Sequence, residues 1–314
     1  MKIKILMRRP NFPDRFLKRL QNLGNLEIAV ADKLSEEEAG DCLQDVDLLI
    51  CAMSWFSHIG KVTLDKAKQL RYIGVYWVGV DWIDVKYAQE KGITICTTNG
   101  TNAQSVAEHI RGMILNLSKK ISLAERQVRN NDGSKSPNLE GIEIYQKTIG
   151  IIGLGRIGTR VAQIATGFWM NILGYTRTPK NLGGGSVVDL DTLLKQSDII
   201  TLCLSLTSET ENLISFSEIE KMKNSVILIN CARESLVDKE ALFKGIEEGK
   251  IFWYGVDTDS FLGQPITEEY FNYPQIVITP HNARRTVEAN EKTLKIICEN
   301  AEAFLEGEPI NVVA

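Results

Sequence analysis

The sequence predicts an α/β protein with two doubly wound parallel sheets, and three observations support this prediction. Short apolar runs alternate with helical patterns along most of the chain, which is typical of βαβ units. The length of 314 residues suits two domains. The segment from Gly153 to Gly158 has the glycine spacing that normally opens a dinucleotide-binding domain. Because this segment lies near the middle of the chain, the strands before it must form a separate domain.

Each predicted domain holds one series of strands. The first series comprises residues 3–7, 26–30, 48–52, 72–75 and 94–96. The second series comprises residues 148–152, 171–175, 199–204, 226–230, 252–256 and 276–279. The predicted domains are residues 1–100 with 285–314, and residues 101–284.

Two long helices and one loop complete the predicted organisation. The sequence predicts a long helix at residues 102–119, which leads from one domain into the other. A second helix at residues 286–305 returns to complete the first domain. Residues 130–141 are polar and rich in turn-forming residues, so they predict a loop or an arm.

Composition and charge exclude several classes of function. The net charge of −4 gives no basic footprint for nucleic acid, and no apolar run is long enough to span a membrane. The first nine residues lack the long apolar region of a signal peptide and predict a first strand. The six cysteines are scattered singly, so we expect neither a metal site nor a disulfide framework. A reduced, cytoplasmic location is expected.

The glycine-rich segment has the context that a dinucleotide site requires. The apolar run at residues 148–152 predicts a buried strand, and residues 159–167 predict a helix. Gly153 permits a tight turn, Gly155 lets the backbone approach a pyrophosphate, and Gly158 lets the helix pack closely on the strand. The helix N-terminus then presents free N–H groups to the phosphates. The alternative is a glycine-rich turn that binds nothing.

Five ordered blocks along the chain carry a family resemblance. They are Gly79-Val80-Asp81-Trp82-Ile83-Asp84, Asn102-Ala103-Gln104-Ser105-Val106-Ala107-Glu108-His109, the glycine-rich segment, Asn230-Cys231-Ala232-Arg233-Glu234-Ser235-Leu236-Val237-Asp238 and Thr279-Pro280-His281. Together they resemble the motifs of the D-isomer-specific 2-hydroxyacid dehydrogenase family. The resemblance implies a Rossmann-like cofactor domain and a flavodoxin-like substrate domain with a cleft between them. It also implies hydride transfer between NAD(P)H and a small 2-oxo or 2-hydroxy acid, usually in a homodimer.

Three residues are predicted to carry the chemistry. Arg233 follows a predicted strand, at the edge where open sheets bind ligands, and its guanidinium suits a carboxylate. His281 is an imidazole that can transfer a proton near neutral pH. The resemblance places Gln264 where the family has a glutamate beside the histidine, and a neutral amide there supplies no negative charge. Glu234 replaces the family's glycine. The alternatives are a surface arginine and a loop histidine without chemistry.

The end of the second strand in the cofactor domain favours NADP over NAD. NAD-specific domains carry an acidic residue there, and Thr176 occupies that place. Arg177 and Lys180 follow closely and can bind a 2′-phosphate. The alternative is that Arg177 only stacks on adenine, as it can in NAD-binding members. The predicted cofactor-binding residues are Val106, Gly153, Gly155, Arg156, Ile157, Gly158, Thr176, Arg177, Thr178, Lys180, Cys203, Leu204, Cys231, Ala232, Asp259 and Ala283.

The resemblance also predicts how the substrate is recognised. Val78 and Gly79 match positions whose backbone N–H groups hold the substrate carboxylate, and Ser54 and Trp55 are expected in the wall of the site. Many family members have an arginine near that wall. Residues 52–55 contain none, which favours glyoxylate or hydroxypyruvate over a phosphorylated acid.

The sequence therefore predicts a reductase of small 2-oxo acids, and two other functions stay open. A protein that senses nicotinamide nucleotides with little turnover would account for Gln264 and Glu234, although Arg233 and His281 argue against it. Formate oxidation is the second alternative, because related formate dehydrogenases carry a Gln-His pair and their reaction needs no proton transfer.

Overall fold

The chain divides into two compact units, residues 1–102 with 286–314 and residues 103–285. The computed structural model describes residues 1–6, 12–29, 34–52, 56–130, 139–178, 180–182, 184–258 and 268–313. Both units are α/β structures with a parallel sheet.

The strands and helices of the described residues alternate along the chain. The strands are β1 (Lys2–Leu6), β2 (Asn25–Ala29), β3 (Leu48–Cys51), β4 (Tyr72–Val75), β5 (Thr94–Thr97), β6 (Thr148–Ile152), β7 (Asn171–Tyr175), β8 (Ser186–Val187), β9 (Ile199–Leu202), β10 (Val226–Asn230), β11 (Ile251–Asp257) and β12 (Ile276–Thr279). The α-helices are α1 (Asp14–Leu23), α2 (Glu36–Cys42), α3 (Lys61–Lys66), α4 (Val85–Glu90), α5 (Ala103–Lys119), α6 (Ile121–Arg129), α7 (Arg156–Thr166), α8 (Leu190–Gln196), α9 (Phe216–Lys221), α10 (Lys239–Glu247) and α11 (Val287–Leu305).

The first unit is a five-stranded parallel sheet in the order β2-β1-β3-β4-β5. Strands β3 and β4 are buried along their whole length, as expected for a parallel sheet covered on both faces. Helix α11 packs against α1 and β4 and adds Leu294 and Ile297 to the apolar core. The last long helix of the chain therefore belongs to the same core as the first five strands.

The second unit is a seven-stranded parallel sheet in the order β12-β11-β10-β9-β6-β7-β8. Strand β6 lies between β9 and β7, so the strand order changes direction there. Open sheets bind ligands outside the carboxyl ends of their strands at such a point. In β10, Ile227 and Ile229 join one apolar core while Val226 and Leu228 join another, so both faces of the sheet are covered.

The prediction of an α/β fold with two parallel sheets is confirmed. Each predicted strand is present, and β4, β6, β7, β10 and β12 have the predicted bounds. The sequence did not predict β8, because Ser186 and Val187 are both exposed and form no apolar run. Of the described residues, no helix combines the length and apolar character needed to cross a membrane.

Helix α5 carries a buried positive charge. This charge belongs to Arg111, which is only 6% exposed. Its Nη1 donates to the Met170 sulfur at 3.2 Å, and its guanidinium lies 4.5 Å from the centre of the Phe168 ring. Within the described residues, Nε and Nη2 have no hydrogen-bond partner. Burial lowers the pKa of Arg111 to about 10.

Candidate active site

The turn after β6 forms a cradle with room for a phosphate group. Gly153 has a φ of 98°, and a Cβ there would lie 2.6 Å from the Cys203 carbonyl oxygen. A Cβ on Gly158 would lie 2.0 Å from the Gly153 carbonyl oxygen, so a side chain would separate α7 from the turn. By contrast, a Cβ on Gly155 would meet no atom of the described residues within 4 Å.

Helix α7 directs its N-terminus toward this turn. The helix begins at Arg156, followed by Ile157, and among the described residues no side-chain hydrogen bond caps it. Its first backbone N–H groups are therefore available to an anion, and the positive end of the helix dipole favours one. The open space at Gly155 and this helix end together fit a dinucleotide pyrophosphate.

Loops from neighbouring strands bring other predicted cofactor residues to the same edge of the sheet. The Cys203 N–H donates to the Ile152 carbonyl oxygen at 2.7 Å, which continues the pairing of β9 with β6 past the end of β9. Leu204 is half-buried in the same loop. Cys231 and Ala232, also half-buried, directly follow β10. Val106 on α5 and Ala283 after β12 lie in one buried core. Their contact with a cofactor stays a prediction.

The cationic residues after β7 already have partners. Arg177 Nη1 lies 2.7 Å from a carboxylate oxygen of Glu209, in the loop after β9. Lys180 Nζ donates to the Leu154 carbonyl oxygen at 2.6 Å and so holds the glycine-rich turn. The Thr178 N–H approaches the Thr176 hydroxyl at 3.4 Å.

The loop that carries Arg233 is held by Asn230, the last residue of β10. The Asn230 amide nitrogen donates to the Arg233 carbonyl oxygen at 2.7 Å, and its oxygen accepts from the Ala232 N–H at 3.1 Å. Asn230 is itself buried. The Arg233 guanidinium donates to the Ala232 carbonyl oxygen at 3.1 Å, while the Tyr270 hydroxyl approaches a Glu234 carboxylate oxygen at 3.4 Å. The Glu234 carboxylate and the Arg233 guanidinium therefore lie on a short loop whose backbone is fixed.

The loop that carries His281 follows β12 and is fixed by a buried carboxylate. Asp257, at the end of β11, accepts hydrogen bonds from the Thr279 hydroxyl at 2.6 Å and from the N–H groups of Asn282 and Ala283 at 2.9 Å. The Ser105 hydroxyl on α5 donates to the Ala283 carbonyl oxygen at 2.6 Å. These contacts fix the chain on both sides of His281.

His281 itself has a backbone conformation that side chains rarely adopt. Its φ is 50°, and residues other than glycine persist there only when their surroundings hold them. The Arg284 guanidinium donates to the His281 carbonyl oxygen at 2.8 Å, and the His281 N–H donates to the Thr279 carbonyl oxygen at 3.0 Å. Within the described residues, Nδ1 of the ring has no hydrogen-bond partner.

Comparison with known proteins decides the family. Residues 111–283 match the family model described as "D-isomer specific 2-hydroxyacid dehydrogenase, NAD binding domain". The chain is also 33% identical to a glyoxylate reductase of Pyrococcus furiosus over 320 residues, covering 98% of this chain and 94% of that relative. This chain belongs to the D-isomer specific 2-hydroxyacid dehydrogenase family. The predicted family and the predicted class, an NAD(P)-dependent oxidoreductase, are confirmed.

Two further relatives of this dehydrogenase differ in length and in named activity. A D-3-phosphoglycerate dehydrogenase of Methanocaldococcus jannaschii is 34% identical over 312 residues, which is 98% of this chain and 58% of that protein. This dehydrogenase therefore spans a little over half the length of that relative. A solved structure of an acyclic imino acid reductase in complex with NADPH and D-Arg is 30% identical, covers 100% of both chains and has a TM-score of 0.91.

The electrostatic surroundings of the dehydrogenase's His281 disfavour a charged imidazole. Burial is the largest cause, and the positive charges of Arg284, Arg233 and Arg285 act in the same direction. The Asp257 carboxylate opposes them, and the net result lowers the pKa of His281 to about 3. The charge of Arg233 reaches His281 because both loops lie at the carboxyl edge of the same sheet.

His109 of the dehydrogenase links α5 to the same polar group. Its Nε2 lies 3.1 Å from the Thr279 hydroxyl, which in turn donates to Asp257. Burial lowers the pKa of His109. These contacts attach α5 to the loop that follows β12.

Two residues of this site were missed by sequence reasoning. Asp257 had a weak signal, since an acidic residue directly after a predicted apolar strand occupies a ligand-binding edge. Glu209 had none, because its pairing with Arg177 joins two loops through the tertiary fold. Among the described residues, no group of three or more His, Cys, Asp or Glu side chains could hold a metal ion.

The predicted substrate-binding residues are only partly described. Val78 and Gly79 lie in the turn after β4 in the first unit, where the Gly79 carbonyl oxygen accepts from the Trp82 indole at 2.9 Å. Ser54, Trp55, Gln264 and Asp259 lie outside the described residues.

Proposed function

We propose that this dehydrogenase is an NADP-preferring reductase of small 2-oxo acids such as glyoxylate or hydroxypyruvate. One observation carries the proposal: Arg233 follows β10 and His281 follows β12, and both strands belong to the seven-stranded sheet in which the dinucleotide cradle follows β6. The influence of the Arg233 charge on His281 supports a common site for the two side chains. The relative named glyoxylate reductase supports the substrate class.

The chemical roles follow from the residue types. When bound, the nicotinamide would supply the hydride that reduces the 2-oxo group. Arg233 binds the substrate carboxylate and polarises the ketone oxygen, and this stabilises the negative charge that develops on that oxygen. His281 donates a proton to the oxygen as it becomes an alkoxide. The family resemblance supports Gln264 as the residue proposed to orient the imidazole. Asp257 and its hydrogen-bond partners keep the loop in place.

The family resemblance adds four residues to the proposed substrate contacts. We propose that Val78 and Gly79 offer backbone N–H groups to the substrate carboxylate, and that Ser54 and Trp55 contact the rest of the acid. An acid with an uncharged tail fits this set because residues 52–55 include no arginine for a phosphate.

The preference for NADP rests on the end of β7. Thr176 places a hydroxyl where an NAD-specific domain has a carboxylate, so no negative charge at that position repels a 2′-phosphate. Arg177, the next residue in the sequence, supplies a positive charge for that phosphate. The complex of the imino acid reductase with NADPH supports the same choice.

We also propose a cytoplasmic homodimer. Helix α6 has no buried residue among those described, and its Val128 is 81% exposed. A homodimer is the assembly that the family resemblance implies, and we propose α6 as a surface that the second subunit covers. The scattered single cysteines agree with a reducing compartment.

The proposed function is tested by a substrate panel. Glyoxylate, hydroxypyruvate, pyruvate and a phosphorylated 2-oxo acid are each offered with NADPH and with NADH, and cofactor oxidation is followed by absorbance. We expect the highest kcat/KM for an unphosphorylated small acid with NADPH. Formate with NADP⁺ and NAD⁺ is included, because formate oxidation without reduction of any 2-oxo acid would support a formate dehydrogenase instead. Tight cofactor binding without turnover of any acid would support a nucleotide sensor.

Replacing Thr176 with aspartate should move cofactor preference toward NADH. The carboxylate of Thr176→Asp repels the 2′-phosphate of NADPH, and we expect the Kd for NADPH to rise about tenfold while that for NADH stays close to wild type. Fluorescence titration of both cofactors measures the change. Thr176→Asn is the matched control, since asparagine has nearly the same size as aspartate but no charge. An equal effect of both substitutions would attribute the change to shape instead.

A further inference from the structure

The adenosine side of the dinucleotide cradle is bordered by two loops. Strand β6 lies between β7 and β9, so the loops after β7 and β9 stand on opposite sides of the glycine-rich turn. Arg177 lies in the first loop and Glu209 in the second. In Rossmann-like sheets the ribose of the adenosine half lies beside the end of the second strand, here β7. A contact between the two loops therefore crosses the place where that ribose binds.

Glu209 is held on a well-bonded turn. The Thr210 hydroxyl donates to the Ser205 carbonyl oxygen at 2.8 Å and accepts from the Thr207 N–H at 2.8 Å. The Glu211 N–H donates to the Thr207 carbonyl oxygen at 3.0 Å. Because both sides of the turn are fixed, the position of the Glu209 backbone does not depend on its ion pair with Arg177.

The ion pair itself is solvent-exposed. The side chains of Arg177 and Glu209 are 75% and 73% exposed, and their charged atoms lie 2.7 Å apart. Exposed ion pairs are weak, so a ligand anion can replace the glutamate as the partner of Arg177 at little cost. The replaced carboxylate then stays near the ligand anion because its turn is fixed.

We propose that Glu209 is a specificity-determining residue that competes with the 2′-phosphate of NADPH for Arg177. This inference rests on the proposed function, in which Arg177 binds that phosphate. NADPH must displace Glu209 and bind next to a second negative charge, whereas NADH lacks the phosphate and leaves the ion pair intact. Glu209 therefore reduces the NADPH preference below the value that Thr176 and Arg177 alone would give.

The experiment compares Glu209→Gln with the wild-type protein. Binding of NADPH, NADH, adenosine 2′,5′-bisphosphate and 5′-AMP is measured by titration. We expect the Kd values of the two 2′-phosphorylated ligands to fall about threefold to tenfold, and those of the other two to change less than about twofold. Added salt should reduce the difference, because the groups involved are exposed.

Two further variants exclude a general charge effect. Glu211→Gln removes the same charge two residues away, from an exposed side chain on the same turn, and should leave all four Kd values unchanged. In an Arg177→Gln background, Glu209→Gln should have a smaller effect, because the cation for which the phosphate and the glutamate compete is absent. An equal effect of Glu211→Gln would overturn the proposal.

The outcomes separate this inference from the proposed function. If the wild type prefers NADH but Glu209→Gln raises relative NADPH affinity, the proposed NADP preference fails and the role of Glu209 stands. If the wild type prefers NADPH and Glu209→Gln leaves the ratio unchanged or lowers it, the role of Glu209 is wrong and the function stands. Binding of the adenosine fragments needs no turnover, so a failure of the reductase assay does not affect this test.

Discussion

Arg233→Gln is expected to lower kcat for reduction of a 2-oxo acid by about a hundredfold or more. In the proposed mechanism the substitution removes the positive charge that stabilises the oxygen on which negative charge develops, and glutamine keeps some hydrogen-bonding capacity without that charge. Cofactor affinity should stay close to wild type, because the cradle is formed by the turn after β6 and by α7. Steady-state kinetics and NADPH titration measure the two effects separately.

The control for this variant removes an exposed guanidinium elsewhere. Arg71→Gln in the first unit should leave both kcat and cofactor affinity unchanged, since the Arg71 side chain is 55% exposed and its guanidinium lies 3.5 Å from the half-buried Asp47 carboxylate. Circular dichroism checks that Arg233→Gln is folded. We expect it to fold, because Asn230 bonds to the Arg233 backbone and not to its side chain. If Arg233→Gln kept most of its activity, Arg233 would have no part in the reaction.

Ketone reduction should decline steadily as pH rises through the neutral range. His281 must be protonated to act as the acid, and burial and three arginines hold the pKa of His281 at about 3 in the free protein. The protonated fraction then falls throughout the assay range, without a plateau near neutral pH. In the proposed site, Gln264→Glu adds a negative charge next to the imidazole, which stabilises the imidazolium and raises its pKa, so kcat/KM rises above the wild-type value at each pH of the assay range. The ratio of kcat/KM between the variant and the wild type, measured across that range, gives the size of the change.

Three controls make this pH test decisive. A slower rate with deuterated NADPH confirms that the chemical step limits the rate. Gln196→Glu makes the same change at an exposed position on α8 and should leave the profile unchanged. His281→Ala should lower kcat by about a hundredfold or more. If Gln264→Glu has the wild-type kcat/KM at every pH, position 264 does not tune His281. If His281→Ala keeps its rate, another group supplies the proton.

The strands of the second unit were predictable because their sequence pattern is local. The runs that form β6 and β10 are short, apolar and bounded by glycine or polar residues, so the sequence defines both ends. Strand β8 has two exposed residues and exists only through its pairing with β7, a tertiary contact. Helix α5 was likewise predicted from its sequence, whereas the hydrogen-bond partners of its polar side chains depend on the tertiary fold.

The candidate site was predictable as a set of residue types but not as a network of contacts. The motifs identified Arg233 and His281 as candidates, yet the three hydrogen bonds that Asp257 accepts depend on how β11 and β12 pair. The ion pair between Arg177 and Glu209 joins residues 32 positions apart in sequence. Residue types that suit a phosphate were therefore visible, whereas the competing carboxylate was not.

The buried guanidinium of Arg111 limits which amino acids can occupy its position. Burial lowers the pKa of Arg111 to about 10, which still leaves the side chain charged at neutral pH. A lysine starts from a lower intrinsic pKa, about 10.4. Comparable burial would bring the pKa of the lysine close to neutral pH, and part of the population would lose its proton. Arg111→Lys would thus make the interior charge under α5 dependent on pH, whereas arginine keeps it constant over the physiological range.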